Sequence, residues 1–305
     1  MNRSLLLGLT LGLCLGVAVT ALIFKANRPA APASPPVATS KTIEPEPNRE
    51  TPETAAEPAT PTPAPTNVES APPTAPPAFD FKTSFATLAK KGLAAYGSKE
   101  MVELADNVKA SGQDGLRLVT EQLQNSTSSQ ERFLAAALLE KIGDPSALSA
   151  LEAALKNDPD LLVRRMASHA AALIGTDAVV DFLRPAMLND EDWGVRVNSA
   201  YGLAKLKQQD GLDTLQRYYS SPDTPAEYRL AILAGLADVA APSTGPLFRQ
   251  ILSDTTDVGY VLIAIGALEK MKDSEALPDL QRIAISAKSE TVRQAAQRAV
   301  DGLTK

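Results

Sequence analysis

The stretch DLLVRRMASHAAALIGTDAVVDFLRPAMLN, residues 160–189, is answered 32 positions later by DWGVRVNSAYGLAKLKQQDGLDTLQRYYSS, residues 192–221. Asp160 returns as Asp192, Val163-Arg164 as Val195-Arg196, Ala167 as Ser199 and Leu183 as Leu215. A fixed period of this length means one supersecondary unit stacked on copies of itself. Outward from this pair the register holds. Arg132, Arg164 and Arg196 keep the same interval, Arg229 follows one place late, Val261 takes the next position, and Arg293 restores arginine at the regular step.

Behind each arginine, other columns keep step. One reads Ala135, Ala167, Ser199, Ile232, Ala264 and Ala296; the next reads Leu138, Ala170, Gly202, Gly235, Ala267 and Ala299. Larger residues follow at Leu139, Ala171, Leu203, Leu236, Leu268 and Val300, then at Ile142, Ile174, Leu206, Val239, Met271 and Leu303. Within a unit these positions lie three or four apart, the spacing of one helix face, which defines a helix A. Its small residues let neighbouring helices approach closely. A helix B follows a turn such as Gly143-Asp144-Pro145, where Asp144 can cap and Pro145 suits the first helical position. Leu151, Leu183, Leu215, Phe248 and Leu280 head its buried stripe, with Leu155, Met187, Tyr219, Leu252 and Ala284 beside them. One such hairpin has too little apolar surface to fold alone. The expected architecture is therefore all-α: an α-solenoid of stacked helical hairpins that repeats every 32 positions.

The Val-Arg pair followed by small residues and a Leu or Ile, as in Val163-Arg164, Val195-Arg196 and Val292-Arg293, resembles the HEAT family. The likeness is to the short HEAT-like repeats of bacterial proteins and phycobilin lyases in particular. It implies that the arginine ladder pairs with aspartates opening the neighbouring layer, for which Asp158, Asp190 and Asp223 are the matching residues. Val261 breaks the ladder. The resemblance also implies, as an alternative function, lyase-like or other enzymatic activity on the solenoid, although fold does not fix function.

Four zones result. Residues 1–25 hold the uninterrupted apolar run Leu5–Phe24, whose roughly 30 Å helical rise matches a bilayer core, so an uncleaved transmembrane anchor is expected, with removal as a signal peptide after Ala21 the alternative. Gly8, Gly12 and Gly16 fall on one face of that helix, where a second copy could pack, although glycine is common in membrane helices anyway. Residues 26–78 are rich in Pro, Ala, Thr and Glu and too poor in apolar residues to offset their ordering entropy, so a disordered tether is expected. Such a spacer after a first-helix anchor resembles those of bacterial envelope proteins. It implies inner-membrane attachment with everything after Phe24 exported. Residues 79–129 are expected to supply capping helices, at Phe79–Ala95 and Met101–Gln124, and a degenerate repeat. Residues 130–305 hold about five repeats and a C-terminal half repeat.

The inventory excludes much chemistry. The only cysteine, Cys14, lies in the apolar run, and His169 is the only histidine, so the soluble part offers no multi-histidine metal site and no Cys-His nucleophile pair. His169 is expected at the surface or a layer edge. Asp190, Glu191 and Asp192 read as a solvated turn. No phosphate loop or serine elbow occurs. A net charge of -6 argues against nucleic acid. No cofactor, metal or catalytic residue is expected.

What remains is protein binding. The register stacks Glu152, Arg184, Gln216, Arg249 and Gln281 on helix B, with Pro185, Arg217, Gln250 and Arg282 beside them. Arg184, Arg217, Arg249 and Arg282 would form a basic ridge suited to an acidic partner segment. Trp193 is the aromatic anchor candidate. The expected function is a membrane-tethered, non-catalytic scaffold whose helix-B groove holds another protein.

Overall fold

The computed structural model describes residues 80–305, and every regular element there is helical. The anchor with Gly8, Gly12 and Gly16, and the tether, lie outside the described residues. Among the described residues no helix is long and apolar enough to cross a membrane.

Helix α1 (Phe81–Ala89) is followed by a hairpin of α2 (Lys99–Ala110) and α3 (Gly112–Asn125). The single helix expected over Met101–Gln124 is thus two, because Gly112 takes φ +59°, a left-handed conformation that ends α2. The A and B helices then alternate. Helices α4 (Ser129–Ile142) and α5 (Leu148–Asn157) form the first pair, α6 (Leu161–Ile174) and α7 (Val180–Asn189) the second. They are followed by α8 (Trp193–Lys205) with α9 (Gln209–Ser220), α10 (Ala226–Val239) with α11 (Gly245–Asp254), and α12 (Val258–Met271) with α13 (Leu277–Ser286). Helix α14 (Glu290–Leu303) is the last among the described residues.

Each B helix packs on the A helix that follows it, α3 and α9 pack also on the A helix of their own hairpin, and consecutive A helices α2, α4, α6, α8, α10, α12 and α14 pack directly on one another. The small columns explain this closeness. Ala135, Ala167, Ser199, Ile232, Ala264 and Ala296 are all fully buried. A Cβ on Gly202 would sit 2.6 Å from that of Ala172 and 2.8 Å from Leu183 Cδ1, so any larger residue forces α8 away from α6. The heavier columns fill the space between A and B: Leu151, Leu183, Leu215, Phe248 and Leu280 have no exposed surface. Each such side chain contributes about 1.5–3 kcal/mol through burial. On the A side, Asp238 of α10 accepts from Tyr201 of α8 at 2.6 Å and from Lys270 of α12 at 3.2 Å, tying three layers.

The caps repeat with the helices. Ser128, Asp160, Asp192, Asp257 and Ser289 each accept a backbone N–H from the first turn of an A helix. At the other end the register 143, 175, 207, 240, 272 is left-handed in every layer: Gly143 and Gly175 at φ 71° and 65°, then Lys207, Ala240 and Lys272 at 59°, 50° and 55°. That conformation costs an L-residue roughly 1–2 kcal/mol and glycine almost nothing. Ala240→Gly is therefore expected to stabilise the chain by about 0.5–1 kcal/mol after the entropy of an added glycine. A urea midpoint that fails to rise would show that the turn carries no such strain.

Candidate partner-binding surface

The ladder arginines sit one turn into each A helix, where the chain arrives from the preceding B helix. Arg132 Nη1 donates to the Ser126 carbonyl at 3.0 Å, Arg164 Nη1 to that of Asp158 at 3.3 Å, Arg229 Nη2 to that of Ser221 at 2.8 Å, and Arg293 Nη1 to that of Ala287 at 2.6 Å. Every one of these acceptors is the residue that ends the preceding B helix. The arginine thus satisfies a carbonyl that the helix itself leaves open.

Onward pairing is less regular. Arg132 grips the Asp158 carboxylate through Nε at 2.7 Å and Nη2 at 2.9 Å, joining its own layer to the next. Arg164 lies 3.8 Å from Asp190 and donates to Glu191 at 2.9 Å. Arg196 departs from the family expectation. Its acid, Asp223, comes one place too late in the chain, because Pro222 holds the register position, and Asp223 is exposed. The Arg196 guanidinium instead lies 4.0 Å from the Trp193 ring centre, and among the described residues its buried Nε has no hydrogen-bond partner.

One buried cation escaped the sequence reading. Arg165, next to the ladder, is fully buried and reaches Asp192 through Nε at 2.6 Å and Nη2 at 2.5 Å, with Nη2 also 2.9 Å from the Tyr228 hydroxyl. Burial pulls its pKa down, but the Asp192 hydrogen bonds and charge outweigh this, leaving it above the ordinary value. Gly194 makes the approach feasible, since a Cβ there would lie 2.6 Å from Arg165 Nε. The available signal was the column itself, where Phe133, Val197, Leu230 and Leu262 stand; Arg165 is its one charged member, and Gln294 in the last helix its other polar one.

The helix-B arginines divide into two kinds. Arg184 donates to Asp210 at 2.6 Å and Gln208 at 3.1 Å, and Arg249 pairs with Asp273 and, at 2.9 Å, with Glu275. Both therefore clamp a B helix to the turn that opens the next one. Arg217 and Arg282 are exposed: Arg282 meets Asp279 at 2.8 Å and the Leu252 carbonyl at 3.3 Å, whereas Arg217 donates to the Thr214 hydroxyl at 3.2 Å. Gln216 is half-buried beside Arg217. Trp193 is half-buried too, edge-on to Tyr218 with ring centres 5.1 Å apart, and Arg217 lies 5.8 Å from the Tyr218 ring. Tyr218 is anchored by donating to the Met187 carbonyl at 3.0 Å; burial raises its pKa, and Arg196 and Arg217 act in the opposite sense. The result is a cationic and aromatic cluster of Arg196, Trp193, Tyr218 and Arg217.

His169, expected at the surface or a layer edge, is buried: the small residues around it let α6 sink between its neighbours, and burial lowers its pKa. Among the described residues no group of three or more His, Cys, Asp or Glu could hold a metal ion.

The HEAT-repeat family matches residues 116–204 and 220–301, more than half of the chain, which therefore belongs to that family. Among solved structures, the chain is similar to one from the complex of CpcE and CpcF of phycocyanin lyase from Nostoc sp. PCC7120, at 17% identity over 78% of this chain and 100% of that one, with a TM-score of 0.44. Human deoxyhypusine hydroxylase in complex with glycerol is similar at 17% identity over 72% of this chain and 84% of that one, with a TM-score of 0.34. At these levels neither likeness carries an argument about activity. No curated protein matches the chain.

Asp192→Asn keeps an oxygen to cap α8 but removes the charge facing Arg165. Stripping one partner from a buried ion pair costs about 3–5 kcal/mol, so a loss near the lower figure is expected. A urea midpoint equal to that of the wild type would show that Arg165 does not depend on this carboxylate.

Proposed function

We propose that this chain is a membrane-tethered, non-catalytic scaffold that binds an acidic segment of another protein along its B-helix face. The observation that carries the reading is Arg217, exposed beside Trp193, Tyr218 and Arg196, with no carboxylate bonded to it among the described residues. Arginine and aromatic side chains are the residues that most often dominate interfaces. Arg282 extends the cationic surface. Arg184 and Arg249 hold layers together, their charges met by Asp210 and by Asp273 with Glu275. The apolar run Leu5–Phe24 and the Pro-rich segment after it support attachment to the bacterial inner membrane, with the repeats held at a distance on its outer side. Close packing of two anchors through Gly8, Gly12 and Gly16 would make the scaffold a dimer.

The competing reading is a phycobilin-lyase-like or other enzyme on the same solenoid. Purified full-length chain that retains a tetrapyrrole absorbance band, or turns one over, would select it. For the scaffold, Arg217→Glu combined with Arg282→Glu is expected to lower recovery of the native partner at least tenfold in pull-downs. The unfolding midpoint should stay put, because neither residue is buried. Recovery equal to the wild type discards the cationic surface.

A further inference from the structure

The ladder is broken on both sides of one joint. Thr255 follows Arg229 at the interval by which Asp158 follows Arg132 and Asp190 follows Arg164, so a hydroxyl stands where those layers place a carboxylate. Val261 stands where the other layers carry arginine, so no arginine of this layer serves the carbonyl of Thr255, the residue that ends α11. At this joint the surface opens into a cleft of about 350 Å³ between the C-terminal end of α9, the helix α11 and the turn that leads from α11 into α12.

The cleft has a consistent chemistry. Ile251 forms an apolar base, and the half-buried rings of Tyr219 and Tyr260 stand on its walls. Burial raises the pKa of both phenols, the Asp257 carboxylate raises that of Tyr260 further, and the Arg229 charge acts on both in the opposite sense. Two exposed carboxylates, Asp254 and Asp257, complete the rim. Asp254 is met by the Gln250 amide at 3.0 Å, and Asp257 caps α12 by accepting from Gly259 and Tyr260 backbone N–H groups at 2.9 and 3.2 Å. Among the described residues no Lys or Arg lines the cleft. The nearest ladder cation, Arg229, donates to the carbonyls of Tyr219, Ser221 and Thr224; it keeps its charge, which offsets one of the two carboxylates and leaves the cleft net negative.

Two aromatic faces, two carboxylates and a carbonyl acceptor favour a cation, and a flat one above others. Guanidinium stacks on aromatic faces and donates in the plane to carboxylate and carbonyl oxygens, whereas an ammonium is a compact point charge. We infer that this cleft receives an arginine side chain from the partner protein, which enters where the chain's own ladder lacks one. The inference rests on the chain being a protein-binding scaffold, but not on the Arg217 surface.

The probe is a blocked five-residue peptide, one arginine flanked by glycines, titrated into full-length chain and followed by NMR. Shifts centred on Tyr219, Tyr260 and Asp257 are expected. The same peptide with citrulline, which keeps the shape and loses the charge, should bind at least tenfold more weakly, and the lysine version should fall between them. Val261→Arg restores the ladder residue in the register of the other layers, so it should leave the unfolding midpoint at or above that of the wild type while abolishing peptide binding. Asp257→Asn combined with Tyr260→Leu should weaken binding about tenfold without filling the cleft. Equal affinity for arginine and citrulline peptides, shifts located elsewhere, no binding at all, or undiminished binding by Val261→Arg would each overturn the inference. Arg217→Glu with Arg282→Glu should leave peptide binding intact, so failure here and failure of the cationic surface are separate results.

Discussion

Everything in this fold depends on how closely one A helix can approach the next. A hairpin of two short helices cannot bury its own apolar faces, so its stability comes from the layers on either side. The columns that run Ala135 to Ala296 and Leu138 to Ala299 set that distance, and at Gly202 even a methyl group would overlap Ala172 and Leu183. Close approach of the backbones then brings the turns into reach of long side chains. The arginine clamps follow from the small columns.

These clamps work at both ends of the hairpins. Where a B helix hands over to an A helix, the ladder arginines satisfy the last carbonyl; where an A helix hands over to a B helix, Arg184 and Arg249 reach the Gln208–Asp210 and Asp273–Glu275 turns. A helix end buried without a partner is costly, and arginine can meet several acceptors from one planar group. Counting arginines on the B face therefore overstates the charge offered to a partner. Half of the expected ridge is occupied in holding the stack; of the exposed half, Arg282 is paired with Asp279 on its own helix, and among the described residues Arg217 has no carboxylate bonded to it.

The fold was legible in the sequence because its cause is periodic. Residues that recur at the repeat interval are the ones buried between layers, and each A helix from α4 onward begins within one position of where the period puts it. The site was legible only in part, because its residues are the exceptions to that period. Asp223 matches the family pattern but misses its place by one position, with Pro222 in the way. Arg165 hides beside Arg164 and is recognisable only by comparing it with Phe133, Val197, Leu230 and Leu262. The left-handed positions at Lys207, Ala240 and Lys272 were readable in principle from Gly143 and Gly175, but nothing in a lysine or alanine announces such a φ. Which exposed arginine has a carboxylate within reach is a question of turns, and periodicity says little about them.

The exceptions also explain how a stack can carry function without losing its fold. Stability in a repeat array is close to a sum of neighbouring interfaces, so a missing clamp weakens one joint and leaves the others alone. Two joints are irregular here, at Arg196 and at Thr255 with Val261, and both lie where a B helix hands over to an A helix. At the first, a cation without its acid meets Trp193 and Tyr218; at the second, carboxylates without their arginine meet Tyr219 and Tyr260. The two spots are of opposite sign along the same edge. A segment carrying an acid for one and an arginine for the other could lie along that edge in only one direction, because the reverse order sets like charges against each other.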